Sequence, residues 1–205
     1  MLIDRPDGHT EVWARRWGRA AGYELTRRSP SPHTAIDGGP TVVGRDRLAS
    51  DIAELNAVGD SVLVHRYPAY LPRCENTVAA LHDLPEDEDE AVLLHAACAS
   101  ALARPLVLVH AVPVSFAERG VGLAEAVAHG QKMLDTGMAV VTAKEPEVNV
   151  TTRLLRARPH EIVTAGVSTA LLVMGGARTR ARGSLGMVAR GALHHLSCPV
   201  LLVAR

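Results

Sequence analysis

From Thr77 onward, short apolar runs alternate with stretches whose apolar residues recur at helical spacing. TVAALH (77–82) predicts a strand, and EAVLLHAACASALA (90–103) sets Ala91, Leu94, Cys98, Ala101 and Leu102 on one helical face. PLVLVHAV (105–112) is almost continuously apolar, as a strand covered on both faces is. The segment 120–144 puts Leu123, Ala126, Val127, Met133, Leu134, Met138 and Val141 on one stripe and predicts a long helix, although MAVVTA within it also reads as a strand. Glu145-Pro146 stops that helix, VNVTTRLL (148–155) alternates like a strand, and Pro159 opens a short helix through about Val167. ALLVM (170–174), a glycine turn, a helix and PVLLV (199–203) complete the chain. In that last helix Leu185, Val188, Ala189, Ala192, Leu193 and Leu196 make an unbroken apolar face. Strand and helix thus alternate five strands deep, which predicts a parallel sheet with helices on both sides.

The first 76 residues repeat the plan in shortened form. MLID and YELTRR flank a helix TEVWARRWGRAA, and TVVGRDR, a helix LASDIAELNAVGD and SVLVHRYP echo LLVMGGARTR, the last helix and PVLLVAR. The middle units are missing. Because the pattern occurs only twice, it predicts a duplicated domain and not a solenoid. The expected division is a shortened domain over 1–68, a proline-bearing linker over 69–76 within PAYLPRCEN, and a full domain over 77–205.

Composition narrows the function classes. Hydrophobic residues make up 47% and aromatics only 3%, so Leu, Val, Ile and Ala must fill the core. Lys plus Arg equal Asp plus Glu at 22 each, which leaves no basic field for nucleic acid or an anionic membrane. The charged opening MLIDRPDGHTEVWARR lacks a signal-peptide apolar region, and no stretch approaches the roughly 20 apolar residues of a membrane span; the expectation is a cytoplasmic protein. Cys74, Cys98 and Cys198 lie far apart, so neither a disulfide framework nor a zinc site is expected.

LLVMGG followed by a helix ending ALHHLSCPVLLV resembles the universal stress protein family, and VNVTTRLLRARPHEIV is similar to that family's third strand and the proline-opened helix after it. The resemblance covers 77–205 in order and, more faintly, 1–68. It implies two adenine nucleotide α-hydrolase-like α/β domains, each a doubly wound parallel sheet of strand order 3-2-1-4-5, the first truncated. It also implies pairing through last strands, so SVLVH (61–65) and VLLV (200–203) are expected to meet inside one chain as an intramolecular pseudo-dimer, with a homodimer through the bared first domain as a further form of self-association. Some members bind ATP and others do not. Ligand, when bound, sits at the carboxyl ends of strands one and four, here His82-Asp83 and Gly175-Gly176.

The ATP-binding branch resembles G-x2-G-x9-G followed by Ser or Thr, because glycines let backbone N–H groups approach phosphate, the helix N-terminus adds partial positive charge, and the hydroxyl donates one more hydrogen bond. Gly175 fits the first glycine, Arg178 replaces the second, Gly186 fits the third and Met187 takes the hydroxyl position. Gly183-Ser184 offers a shifted Gly-Ser pair. Arginine resists the left-handed conformations that glycine tolerates, and methionine donates no hydrogen bond. Arg178, Arg180 and Arg182 form instead a basic run suited to clamping an anion, or a solvated loop. The acidic run Glu86, Asp87, Glu88, Asp89 and Glu90 suits a first helical turn, by about 0.3–1 kcal/mol each, yet would repel a triphosphate in the same crevice. At the adenine end, Asp83 stands at or one residue beyond the position of the aspartate after strand one, with His82 as the competing alignment, and Val109, His110 and Ala111 end strand two much as in ATP-binding relatives. The expectation is a degenerate site without cofactor, with ATP or another adenine nucleotide as the alternative occupant.

Other constellations carry less. His160-Glu161 in HEIVT lacks the second histidine of a zinc helix, and Gly166 to Ala170 half resembles a nucleophile elbow yet precedes a strand where an elbow follows one. His194 and His195 are adjacent on a helix, so their side chains diverge by about 100°. No metal site and no catalytic residue is expected. The reading is a non-catalytic stress-response module that works by association with protein partners the sequence does not identify; the alternatives are an ATP or AMP sensor and, least favoured, an enzyme of the wider adenine-nucleotide fold.

Overall fold

The apolar runs form the strands of one nine-stranded sheet, in the order β2-β1-β3-β4-β9-β8-β5-β6-β7. The structure is a computed structural model, and it describes residues 2–4, 12, 14–15, 26–27, 41–43, 52, 61–64, 77–81, 105–112, 122–158, 161, 169–175, 185–196 and 198–203. The strands are β1 (Leu2–Asp4), β2 (Thr26–Arg27), β3 (Thr41–Val43), β4 (Val62–Val64), β5 (Thr77–Leu81), β6 (Leu106–Ala111), β7 (Val150–Leu155), β8 (Leu171–Gly175) and β9 (Val200–Val203). Two helices are described throughout, α1 (Gly122–Lys144) and α2 (Met187–His195). Val12, Ala14, Arg15 and Ile52 are helical, inside the segments where the pattern predicts helices. The predicted helix 90–103, the stretch 69–76 and all but Glu161 of the predicted helix after Pro159 lie outside the described residues.

Within the second half, β9-β8-β5-β6-β7 is the order 5-4-1-2-3 in that half's own count, all parallel. Four strands, β2-β1-β3-β4, make the first half, also parallel among themselves. The halves join where β4 runs antiparallel to β9, with Val62 opposite Leu202, Leu63 opposite Leu201 and Val64 opposite Val200. All of these seam residues are buried. Leu63 and Leu201 are wholly so, and burying a leucine stabilises by about 1.5–3 kcal/mol.

Strand alternation divides the core into two layers. Val107, Val109 and Ala111 of β6 join Leu172 and Met174 of β8, Val200 and Leu202 of β9, and Val62 and Val64 of β4 in one apolar cluster with Ile52 and with Ala189, Ala192 and Leu193 of α2. On the opposite face α1 packs over β6 and β7. Its buried face is Gly130, Leu134, Gly137 and Val141, a spacing of four and three that keeps one side of the helix inward. Met138, expected on the buried stripe, is 37% exposed. The stripe is centred on two glycines that a count of apolar side chains does not register, which turns Met138 to the flank. MAVVTA is helical, as a continuous extension of the helix and not as a strand.

Gly130 shows why glycine sits at the helix-sheet contact. A Cβ there would lie 2.6 Å from Cδ2 of His110, 2.8 Å from Cδ1 of Leu154 and 3.2 Å from Cγ2 of Val112. The helix backbone therefore rests directly on side chains of β6, β7 and the residue after β6. After α1, the Glu145 N–H donates to the Val141 carbonyl at 2.7 Å and the Val148 N–H to the Glu145 carbonyl at 3.1 Å, a tight turn that carries the chain into β7.

Candidate functional site at the carboxyl ends of β5 and β8

β5 lies between β8 on one side and β6 on the other, although the chain runs β5, β6, β7 before returning to β8. The direction of winding reverses there, so the crevice between the carboxyl ends of β5 and β8 is the switch point where open α/β sheets take ligands. Ala80 pairs with Met174 in register, so Leu81 and Gly175 end their strands side by side. Gly175, partly exposed, is the last residue of β8 and pairs with Val203 on its other side. Gly186 is the N-cap of α2, with φ −58 and ψ 158 and no side-chain capping hydrogen bond. Its carbonyl accepts the Arg190 N–H at 2.9 Å, the first intrahelical bond. Neither its conformation nor its surroundings demand glycine, since a Cβ would meet nothing within 4 Å. Met187, the first residue of α2, is 74% exposed. The helix start thus bears a flexible thioether, a side chain that donates no hydrogen bond. Asp83, Gly176, Arg178, Gly183 and Ser184 lie outside the described residues.

The three residues at the end of β6 divide their groups between two neighbours. The Leu106 N–H donates to the Asn149 carbonyl at 2.8 Å and the Val112 N–H to the Leu155 carbonyl at 2.9 Å, so the even-numbered residues of β6 face β7. His110 is one of these, and its imidazole is buried toward α1 beneath Gly130. Val109 and Ala111 turn their backbone groups toward β5 and their side chains into the α2 layer. Two residues of the trio therefore face β5 with their backbones and the apolar core with their side chains, and the third supports α1. The near-continuous apolar run could not reveal this, because hydrophobicity does not distinguish the two faces of a doubly covered strand.

Side chains with chemistry elsewhere have structural work. Glu161 accepts the Arg158 N–H at 2.8 Å, while its own N–H donates to the Arg158 carbonyl at 2.8 Å. With Pro159 just after Arg158, this is the carboxylate half of a capping box at a helix start, which accounts for the glutamate of HEIVT without a metal. The Thr169 hydroxyl is buried and donates to the Leu171 carbonyl at 2.9 Å, at the amino end of β8, the edge away from the crevice. His194 and His195 are both exposed, with ring centroids 6.5 Å apart. Cys198 is buried and takes part in no disulfide. Among the described residues no three His, Cys, Asp or Glu side chains cluster as metal ligands, and no helix is long and apolar enough to cross a membrane.

An open, doubly wound α/β sheet with a crevice at its switch point defines the class of this protein. Within that class its fold is that of the universal stress proteins. A universal stress protein from Archaeoglobus fulgidus DSM 4304 superimposes with a TM-score of 0.58 at 15% identity, over 100% of this chain and 84% of that one. A second universal stress protein from Archaeoglobus fulgidus gives a TM-score of 0.52 at 24% identity, over 65% of this chain and 98% of that one. The universal stress protein from Archaeoglobus fulgidus in complex with dAMP gives 0.50 at 23% identity, over 65% and 98% of the two chains. No protein-family model matches the sequence, and no curated protein does.

Proposed function

We propose that this chain is a universal stress protein that acts by association, without turnover, and that its inherited nucleotide crevice is degenerate. The observation that carries the reading is Met187, 74% exposed at the first position of α2. A phosphate at a helix start draws on backbone N–H groups and a neighbouring hydroxyl, and the methionine side chain supplies no such hydroxyl. Arg178 in place of the second glycine and the acidic run 86–90 weigh in the same direction. The pairing of β4 with β9 supports reading the chain as an intramolecular pseudo-dimer, two worn copies of one unit joined by their last strands.

A second reading has its own support. The N-terminus of α2 bears no side-chain cap at Gly186, and a structural relative is a complex with dAMP. On that reading the chain senses an adenine nucleotide, with Val109 and Ala111 at the base and Gly175 to Gly186 at the phosphates. Thermal melts with ATP and magnesium, and with AMP, separate the two. The degenerate site predicts an unchanged Tm, whereas a nucleotide at 100 times its Kd would stabilise by about 2.7 kcal/mol, a rise of several degrees.

A further inference from the structure

Among the described residues the sheet ends in β2 on one side and in β7 on the other. β7 runs for six residues, paired to β6 without interruption from Val150 opposite Leu106 to Leu155 opposite Ala111. Asn149 and Leu155 accept from β6, so the odd-numbered residues of β7 face inward. Val150, Thr152 and Leu154 accordingly turn their N–H and C=O groups outward, and among the described residues no strand pairs with them. Long edges are normally blunted by proline, a bulge or charge. β7 has neither proline nor bulge, and its charges are sorted by sign along the strand: Glu145 and Glu147 on the approach, Arg153, Arg156 and Arg158 at the carboxyl end and exit, all exposed.

We propose that β7 is the edge through which two copies of this chain join, antiparallel, about a twofold axis at Thr152. The pairing is isologous, so the outward groups of Val150, Thr152 and Leu154 bond to those of Leu154, Thr152 and Val150 of the second copy. In this register the acidic approach of each copy lies beside the basic exit of the other. Parallel contact would set arginine against arginine. Because α1 packs over β6 and β7, the two α1 helices would stand about two strand spacings apart, roughly 10 Å, a normal packing distance for helices. The contact is separate from the β4–β9 seam inside the chain and from the crevice, so it stands or falls independently of nucleotide binding.

Sedimentation velocity of the full chain at low and high salt tests the proposal. A dimer is expected at about 0.05 M salt, with its dissociation constant at least about tenfold weaker at about 0.5 M. Arg156→Glu weakens the dimer by about tenfold or more, and Glu147→Arg acts likewise. The double variant Glu147→Arg/Arg156→Glu restores dimerisation, because each swapped charge meets its swapped partner. Thr152→Pro removes an outward N–H without touching the β6 ladder and yields a folded monomer; should it fail to fold, the charge pair still decides. A wild-type monomer at low salt overturns the proposal, and so does a dimer that ignores Arg156→Glu or is not regained in the double variant.

Discussion

The two halves of the sheet agree at the seam and differ at the rim. Reading outward from the antiparallel join, the first half runs β4, β3, β1 and the second β9, β8, β5. Among the described residues β2 lies beyond β1, and β6 and β7, of six residues each, lie beyond β5 with α1 laid over them. The inner strands make the seam core and the switch point. The outer units supply a helix layer and a long edge. β4 is buried at all three of its residues, because it lies inside the sheet between β3 and β9.

The sharpest way to break the comparison is at the seam. Leu63→Ala in the first half and Leu201→Ala in the second should each cost about 2–5 kcal/mol, because both leucines are fully buried. Denaturant unfolding followed by circular dichroism should show a single transition shifted in either variant. Two separate transitions would mean that the halves do not share a core.

Smaller effects should follow in the helices. Gly130→Ala brings a Cβ to 2.6 Å from the His110 ring and 2.8 Å from Leu154, so a loss of about 1–3 kcal/mol is expected despite alanine's better helix propensity. Glu161→Ala removes the acceptor from the Arg158 N–H and should cost about 1 kcal/mol, most of which Glu161→Gln should retain. Gly191→Ala on α2 meets nothing within 4 Å and should raise stability by about 0.5–1 kcal/mol. Opposite signs at Gly130 and Gly191 in the same denaturant series would confirm that the helix-sheet contact, and not helix propensity, governs α1.

Much of this architecture was legible before the fold was seen. The runs 77–82, 105–112, 148–155, 170–174 and 199–203 become β5 to β9 within two residues at each end, because a continuous or alternating apolar run bounded by Pro, Gly or charge has few other outcomes. The apolar positions from Leu185 to Leu196 that the periodicity names are all buried or partly buried, although Leu185 precedes α2 and Leu196 is its C-cap. On α1 the named stripe from Leu123 to Val141 is buried or partly buried at every position but Met138; the periodicity does not register Gly130 and Gly137, which are buried for shape. The two-sided division of Val109, His110 and Ala111 was hidden for a related reason: strand register fixes it, and register depends on partners distant in sequence. The meeting of β4 with β9 was accessible only through family resemblance, since nothing in either apolar run specifies an antiparallel neighbour. At the crevice, Gly175, Gly186 and Met187 fall where the motif count set them, at a strand end and a helix start.

The central claim is that the helix start at Gly186-Met187 no longer grips a triphosphate. Isothermal titration of ATP with magnesium into the wild-type chain and into Arg178→Gly/Met187→Ser tests it most directly. The account predicts no heat of binding for the wild type and measurable binding once the small and hydroxylated groups are restored. Saturable binding by the wild type, unchanged in the double variant, would contradict it.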